Sequence, residues 1–193
     1  MRYQIHSKWS LTEHFAIVDD SGTPVYDVRG NLSLTQHLTM RDSAGQEVAA
    51  IKKHMMTTKH DILMGGQKIA EVHHEGFFGD HYEINSQFGR ISAKGNFAGW
   101  NYNIHQQGQP VAMVSRQLAF GEKFLVETAD NINDAFILAV VLTIDAIHKE
   151  REQDQNQGGF GNQGGFGNQG GGLLGDMLGG GGGGGGIFGG NFP

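Results

Sequence analysis

Apolar and polar residues alternate along most of the first 128 residues, most clearly in the segment NLSLTQHLTM (31–40). Leu32, Leu34, Leu38 and Met40 fall on one face of this segment, and polar residues occupy the other face. Alternation with a period of two is typical of a strand with one buried face. The pattern recurs between glycine-containing turn signals and predicts twelve strands, near 2–7, 14–19, 24–29, 32–42, 46–53, 58–64, 67–74, 80–86, 89–95, 99–106, 110–117 and 122–128.

A different pattern follows the last predicted strand, because residues 135–144 are apolar on every side except at Thr143. This run predicts a helix over 134–147, which is about 21 Å long at the helical rise. A bilayer core requires about 20 apolar residues, so the run is too short to span one. A helix that is apolar all round must therefore be buried by protein on every side.

Wrapping the predicted sheet around this helix would bury it. A barrel of eight strands is filled by its own side chains, so a barrel that encloses a helix needs more strands. We therefore expect a closed antiparallel barrel of about twelve strands around one apolar C-terminal helix. The residues predicted to form the central helix are Phe136, Leu138, Val140, Val141, Leu142 and Asp145.

The ends of the helix are also predicted from the sequence. Asn131 is the expected N-cap, and Asp134 suits the positive N-terminal end of the helix. Lys149 and Arg151 suit the negative C-terminal end. The charged segment 148–157 is expected to extend the helix by about one turn beyond the barrel, because it has no apolar residue that can pack.

Four stretches carry a resemblance to a known family: FAIVDDSGTPVYDVRG (15–30), GQEVAAIKK (45–53), GGQKIAEVHHEGFFGDHYEI (65–84) and ETADNINDAFILAVVLTIDAIHKE (127–150). Over residues 1–150 the chain resembles the LURP-one-related proteins. These belong to the tubby C-terminal-like superfamily, which also includes the phospholipid scramblases. The resemblance implies a twelve-stranded barrel with the helix through its centre. It also implies binding rather than catalysis, since tubby relatives bind phosphoinositides through basic surface residues and scramblase relatives carry an acidic calcium-binding loop.

Charge and composition narrow the function. The net charge of −6 disfavours nucleic-acid binding, which usually accompanies a basic excess. The chain has no cysteine, so no cysteine-ligated metal site is expected, and its N-terminus lacks the apolar core of a secretory signal. No catalytic motif, metal or cofactor is predicted. These features predict a cytoplasmic protein, peripheral to the membrane, with no transmembrane span.

The segment KKHMMTTKH contains the candidate site for an anionic lipid or phosphate, formed by Lys52, Lys53 and Lys59. Clustered cations attract anionic headgroups, although lipid-binding clusters usually contain four to eight Lys or Arg residues. The alternative is a solvated edge of the sheet. His54 and His60 adjoin these lysines.

Other polar groups have structural explanations that we favour over metal binding. His73 or Glu75 lies opposite His81 in a predicted hairpin, but His73 and His74 point to opposite faces, so a full zinc site needs further ligands. Asp130 and Asp134 precede the helix, where capping explains them more simply than calcium does. Asp145 is expected to bond the backbone or a strand side chain at the barrel rim.

Residues 151–193 form a separate segment, in which 20 of the chain's 32 glycines lie between Gly158 and Pro193. So few side chains cannot offset the entropy of ordering, which predicts a disordered tail. The sequence thus predicts a non-enzymatic protein whose barrel binds anionic phospholipids or a protein partner. The alternative is a structural protein that associates weakly with itself through the tail, and an enzyme with a ligand site at a barrel mouth is the least supported reading.

Overall fold

The computed structural model describes residues 1–6, 14–31, 37–54, 57, 59–74, 81–117 and 123–157. One helix, α1, spans Asp134–Gln157. The strands are β1 Arg2–His6, β2 His14–Asp19, β3 Pro24–Asn31, β4 His37–Asp42, β5 Glu47–Lys53, β6 His60–Met64, β7 Gln67–His74, β8 His81–Ser86, β9 Gly89–Asn96, β10 Asn101–Gln106, β11 Gln109–Gln117 and β12 Lys123–Thr128.

The twelve strands form a closed antiparallel barrel in which each strand pairs with its neighbours in sequence. Pairing of β1 with β12 closes the sheet, with Tyr3 opposite Val126 and Ile5 opposite Phe124. The predicted fold class is therefore confirmed for the barrel and its helix. The predicted glycine-rich tail, residues 151–193, lies outside the described residues from Gly158 onward.

The alternation of the strands decides which side chains enter the barrel. In β10, Tyr102 and Ile104 are fully buried while Asn101 and Asn103 are exposed, as their alternation predicts. Leu38 and Met40 of β4 are buried in the same way. Leu32 and Leu34, predicted on the same face, lie outside the described residues.

Helix α1 occupies the barrel interior, and its residues Phe136–Ile147 are buried on every side. They share one apolar cluster with inward-facing residues of the strands. The helix begins at the mouth of the barrel where β12 ends, here called the entry mouth, and leaves at the opposite mouth, here called the exit mouth. The central-helix residues lie here as predicted: Phe136, Leu138, Val140, Val141, Leu142 and Asp145 are each at most 2 % exposed.

Two predictions about the helix ends were wrong. Asn133, and not Asn131, is the N-cap, because its Oδ1 accepts a hydrogen bond from the Phe136 N–H at 3.0 Å. Asn131 instead adopts a left-handed conformation with φ 61°. The helix continues to Gln157, about two turns further than expected, so Lys149 and Arg151 do not lie in its last turn. Residues 148–151 are partly buried against the exit mouth, which explains why the helix continues past the barrel core.

Candidate binding surface

The three lysines predicted to bind an anion lie on different sides of the sheet. Lys52 is exposed on the outer face of β5. Lys53, the next residue, points inward, and its Nζ is 2.7 Å from Glu150 Oε2 of α1. Lys59 precedes β6, and its Nζ is 2.7 Å from Glu71 Oε1. The three side chains therefore do not form one patch, and their binding to an anion stays a prediction.

A network of charges surrounds Lys59 on the outer face of β6 and β7. Asp61 and Glu71 are opposite each other in the register of these strands. Lys68 bridges the two carboxylates, with its Nζ 2.6 Å from Asp61 Oδ1 and 2.8 Å from Glu71 Oε2. His54 Nε2 lies 2.9 Å from Asp61 Oδ2. Adjacent strands thus supply alternating charges that neutralise one another.

The network shifts the protonation of its members in the direction that these contacts require. Hydrogen bonds from Lys59 and Lys68 lower the pKa of Glu71 to about 2. Hydrogen bonds to Asp61 and Glu71 raise the pKa of Lys68. Both shifts favour the charged forms, so the ion pairs persist throughout the neutral range.

The imidazole and carboxylates of this network also have the chemistry of a metal site. Donor atoms of His54, Asp61 and Glu71 all lie within 4.8 Å of one another. Zinc is bound by such nitrogen and oxygen donors. However, Lys68 already forms ion pairs with both carboxylates, and Lys59 forms one with Glu71. A divalent cation would have to displace these ammonium groups. The arrangement fits a neutralised surface network better than a metal centre.

Glu71→Gln is expected to destabilise the protein at neutral pH and to have a smaller effect as the pH falls. The folded-state pKa of Glu71 lies below the ordinary value of 4.5, so its contribution to stability is fully present above that value. The contribution is lost as the pH falls through the folded-state pKa of about 2. Urea unfolding of both proteins, from neutral pH down to the lowest pH at which the wild type folds, measures the difference.

Glu47→Gln is the matched control, because Glu47 is an exposed carboxylate on β5 of the same barrel. Its effect on the free energy of unfolding should stay within about 0.5 kcal/mol across the pH range, as is usual for surface substitutions. An effect of Glu71→Gln that is constant with pH would contradict the assignment of the ion-pair network.

A second group of charges lies beside the first, on β7, β8 and β9. His81 Nε2 is 2.5 Å from Glu83 Oε1, and Arg90 Nε is 2.8 Å from Glu83 Oε2. His73 is the register partner of Glu83. Burial alone would raise the pKa of Glu83, but hydrogen bonds from His81 and Arg90 outweigh it and lower that pKa.

The predicted hairpin places His73 or Glu75 opposite His81 and does not include Glu83. Glu75 and Asp80 lie outside the described residues. The signal was present, because His81 and Glu83 are two residues apart in one strand and so share a face. The carboxylate that contacts His81 therefore comes from its own strand.

Charged and polar groups also hold α1 at the exit mouth. Glu150 accepts Lys53 and lies 3.5 Å from His60 Nε2, whose side chain is 3 % exposed. Lys149 Nζ lies 2.9 Å from Asp145 Oδ2, so this buried carboxylate has a partner on its own helix. The sequence predicted a partner in the backbone or in a strand at the barrel rim. Burial, and after it the charge of Asp145, raises the pKa of Tyr102, and burial raises the pKa of Tyr82 to about 12. The structural role of Asp145 stays a prediction.

The acidic residues before the helix are engaged at the entry mouth. Tyr3 Oη donates a hydrogen bond to Asp134 Oδ2 at 2.9 Å, and Asn133 caps the helix. Burial and this hydrogen bond raise the pKa of Tyr3. Asp130 is exposed in the turn that precedes them. Hydrogen bonding thus accounts for Asp134, and capping accounts for Asn133.

The family model for LURP-one-related proteins matches residues 1–145, which include all twelve strands and most of the buried part of α1. The chain belongs to the LURP-one-related family. A protein of Arabidopsis thaliana of known X-ray structure has a similar fold, with a TM-score of 0.59, 16 % sequence identity, and coverage of 76 % of this chain and 90 % of that one. This likeness concerns the fold alone. The chain matches no curated protein.

Within the described part of this LURP-one-related chain, no helix has both the length and the hydropathy that a bilayer-spanning helix needs. The buried part of α1 is enclosed by the barrel, which explains its apolar sequence without a membrane. The tail residues proposed to drive self-association lie outside the described residues, so that alternative stays a prediction.

Proposed function

We propose that this protein is a non-catalytic binding domain that contacts anionic phospholipid surfaces through the outer side of strands β5–β9. The observation that carries the proposal is the sign of the charge on this side. Among the described residues of this side, five outward cations face four carboxylates, although the whole chain has a net charge of −6. A positive region on an acidic protein attracts an anionic surface and orients the protein on it.

The surface, here called the β5–β9 face, is defined by its charged residues. Among the described residues 47–54, 59–74 and 81–96, five cations face outward and four carboxylates are present, while Lys53 turns inward to Glu150. The cations are Lys52, Lys59, Lys68, Arg90 and Lys94, and the carboxylates are Glu47, Asp61, Glu71 and Glu83.

Two cations of the β5–β9 face are best placed to meet a ligand. Lys52 and Lys94 are exposed, and neither is in an ion pair with another described residue. The other three cations are engaged by carboxylates of the same face, at distances of 2.6 to 2.8 Å. Because few cations are unengaged, the binding is expected to be modest and sensitive to salt.

The β5–β9 face also offers a concave surface. A shallow pocket of about 480 Å³ lies between β7 and β8 and is lined by Lys68, Ile69, Ala70, Glu71, Asn85, Ser86 and Gln87. Its lining combines charged and polar side chains with Ile69 and Ala70, which suits a lipid headgroup better than a reaction, because no nucleophile–base pair lies among these lining residues.

Lys52→Glu combined with Lys94→Glu is expected to reduce binding to phosphatidylglycerol vesicles by roughly tenfold or more. Each cation near an anionic surface contributes about 1 kcal/mol, and charge reversal adds repulsion. Vesicle flotation with the full chain measures the bound fraction. Salt at about 1 M should also weaken wild-type binding, because the Debye length falls to about 3 Å.

Arg41→Glu combined with Lys123→Glu is the matched control, since it changes the net charge equally on strands β4 and β12. This variant should bind within about threefold of the wild type. Lys53 is left unchanged in both variants, because its ion pair with Glu150 contacts the helix. Equal vesicle binding by all three proteins at low and high salt would overturn the proposal. Binding to a protein and not to vesicles would favour the alternative, in which the partner is a protein.

A further inference from the structure

The outer side of β2, β3 and β4 carries a pocket of about 420 Å³, here called the β2–β4 pocket. Ala16, Pro24 and Val25 give it apolar surface, and Arg29 and Arg41 bring two guanidinium groups to the same concavity. None of its lining residues belongs to the β5–β9 face, so any ligand it holds is bound separately from a membrane surface.

Two irregularities of strand pairing coincide with this pocket. Val25 has no register partner on β2, because the register of β2 with β3 shifts between Ile17 and Val18. The register of β4 with β5 shifts between Met40 and Arg41. Such bulges bend a strand and redirect its side chains, and they are frequent next to active sites. They account for a concave region on the outer side of the barrel and for the direction of Arg41.

The carboxylates that line the β2–β4 pocket are engaged by the protein itself. Asp27 contacts His14 Nε2 through Oδ1, and its Oδ2 lies 2.8 Å from Arg29 Nε. Asp42 Oδ1 accepts hydrogen bonds from two backbone N–H groups of the turn that follows β4, each at 2.9 Å. These contacts neutralise Arg29 and hold both carboxylates, so the pocket is poorly suited to a cationic ligand.

Arg41 differs from the other charged groups of the pocket. It forms no ion pair within the described part of the chain, and its hydrogen bond to the Gly45 carbonyl oxygen is long, at 3.4 Å. Its register partner on β3 is Asp27, whose two oxygens are already engaged by His14 and Arg29. The exposed Arg41 guanidinium therefore has N–H donors left for a ligand, in the planar fork that matches a carboxylate.

We propose that the β2–β4 pocket binds a small amphipathic carboxylate, whose charged group lies on Arg41 and whose apolar part lies against Ala16 and Val25. One unengaged guanidinium matches one negative charge, and it donates two parallel hydrogen bonds to a carboxylate. A dianionic phosphate ester fits less well, because Asp27 and Asp42 lie nearby and no further unengaged cation lines the described pocket. The site goes beyond the proposed lipid binding and does not depend on it.

The test titrates the full chain with octanoate at about pH 7.5, where a carboxylic acid is ionised, and follows binding by saturation-transfer NMR. Octanamide has nearly the same shape but no charge, and octyl phosphate has the same chain with a phosphate group. Octanoate should bind roughly tenfold or more tightly than octanamide, because a charge-assisted pair of hydrogen bonds is stronger than neutral ones. It should also bind more tightly than octyl phosphate.

Arg41→Ala should weaken octanoate binding by roughly tenfold or more and leave octanamide binding unchanged, because only the charged hydrogen bonds are removed. Arg41→Lys keeps the charge without the planar fork and should restore the binding only in part. The control Lys52→Glu/Lys94→Glu, which reverses two charges of the β5–β9 face, should bind octanoate like the wild type. Circular dichroism checks that each variant is folded, as expected for exposed side chains.

The outcomes separate this site from the proposed lipid surface. Equal octanoate binding by the wild type and Arg41→Ala, or no octanoate binding at all, would overturn the site and leave the lipid proposal intact. Equal binding of octanoate and octanamide would overturn the role of the carboxylate, and tighter binding of octyl phosphate would overturn the ligand class. Loss of octanoate binding in Lys52→Glu/Lys94→Glu would place the ligand on the β5–β9 face and so overturn the assignment to the β2–β4 pocket.

Discussion

Val140→Asp is expected to abolish cooperative folding of the barrel. Val140 lies near the middle of the buried part of α1 and is 0 % exposed. An unpaired carboxylate there costs several kcal/mol, which is comparable to the whole stability of about 5–15 kcal/mol of a domain. Because α1 lies inside the closed sheet, the charge cannot reach water without opening the barrel. Far-UV circular dichroism and thermal unfolding measure the loss.

Two controls separate burial of charge from other effects of this substitution. Met113→Asp places the same charge on the outer side of β11, where Met113 is 41 % exposed, and should change the free energy of unfolding by less than about 1 kcal/mol. Val140→Ala removes only two methyl groups and should cost about 1–3 kcal/mol while the protein still folds. A soluble Val140→Asp protein that unfolds cooperatively would contradict the position of α1 inside the barrel.

The fold was predictable because its two main patterns are local. In segment 101–106, successive side chains of a strand point to opposite faces, so the apolar Tyr102 and Ile104 both point inward. Residues 135–144 are apolar on every side except at Thr143, so only enclosure by protein satisfies this run. Strand number, antiparallel order and the enclosed helix follow from these patterns together with the short turns.

The candidate site was less predictable, for reasons that differ between residues. Lys52 and Lys53 are neighbours in a strand, so their side chains point to opposite faces of the sheet, which the sequence already implies. The partner of Lys53 is Glu150, about a hundred residues away, and only the depth at which α1 sits in the barrel brings them together. Long-range register of this kind has no local signal.

The helix boundaries were missed because neighbouring residues compete for the same role. Asn131 and Asn133 are both good N-cap residues, and the choice depends on which backbone conformation the turn from β12 requires. A left-handed conformation at Asn131, with φ 61°, reverses the chain and leaves Asn133 to cap. At the other end, residue 149 pairs with Asp145 and residue 150 pairs with Lys53. These ion pairs hold the helix where it has no apolar contacts, so it does not end as early as predicted.

Gly95→Ala is expected to destabilise the protein by about 3 kcal/mol or more, because it combines backbone strain with overpacking. Gly95 has φ 143°, and a Cβ atom added there would lie 2.5 Å from the Asn101 carbonyl oxygen and 2.7 Å from Tyr102 Cα. Both atoms are backbone, so no side-chain rotation relieves the contact. Strands β9 and β10 pair at this position, with Gly95 opposite Tyr102.

Gly22→Ala is the matched control for the conformational part of this effect. Gly22 has φ 82° in the turn between β2 and β3, but an added Cβ would meet no atom within 4 Å. It should cost only the about 1–2 kcal/mol of placing an L-residue in a left-handed conformation. Urea unfolding of both variants separates strain from contact. If Gly95→Ala cost no more than Gly22→Ala, β9 and β10 would not approach each other as closely as this register requires, and the inward position of Tyr102 beside Asp145 would have to be revised.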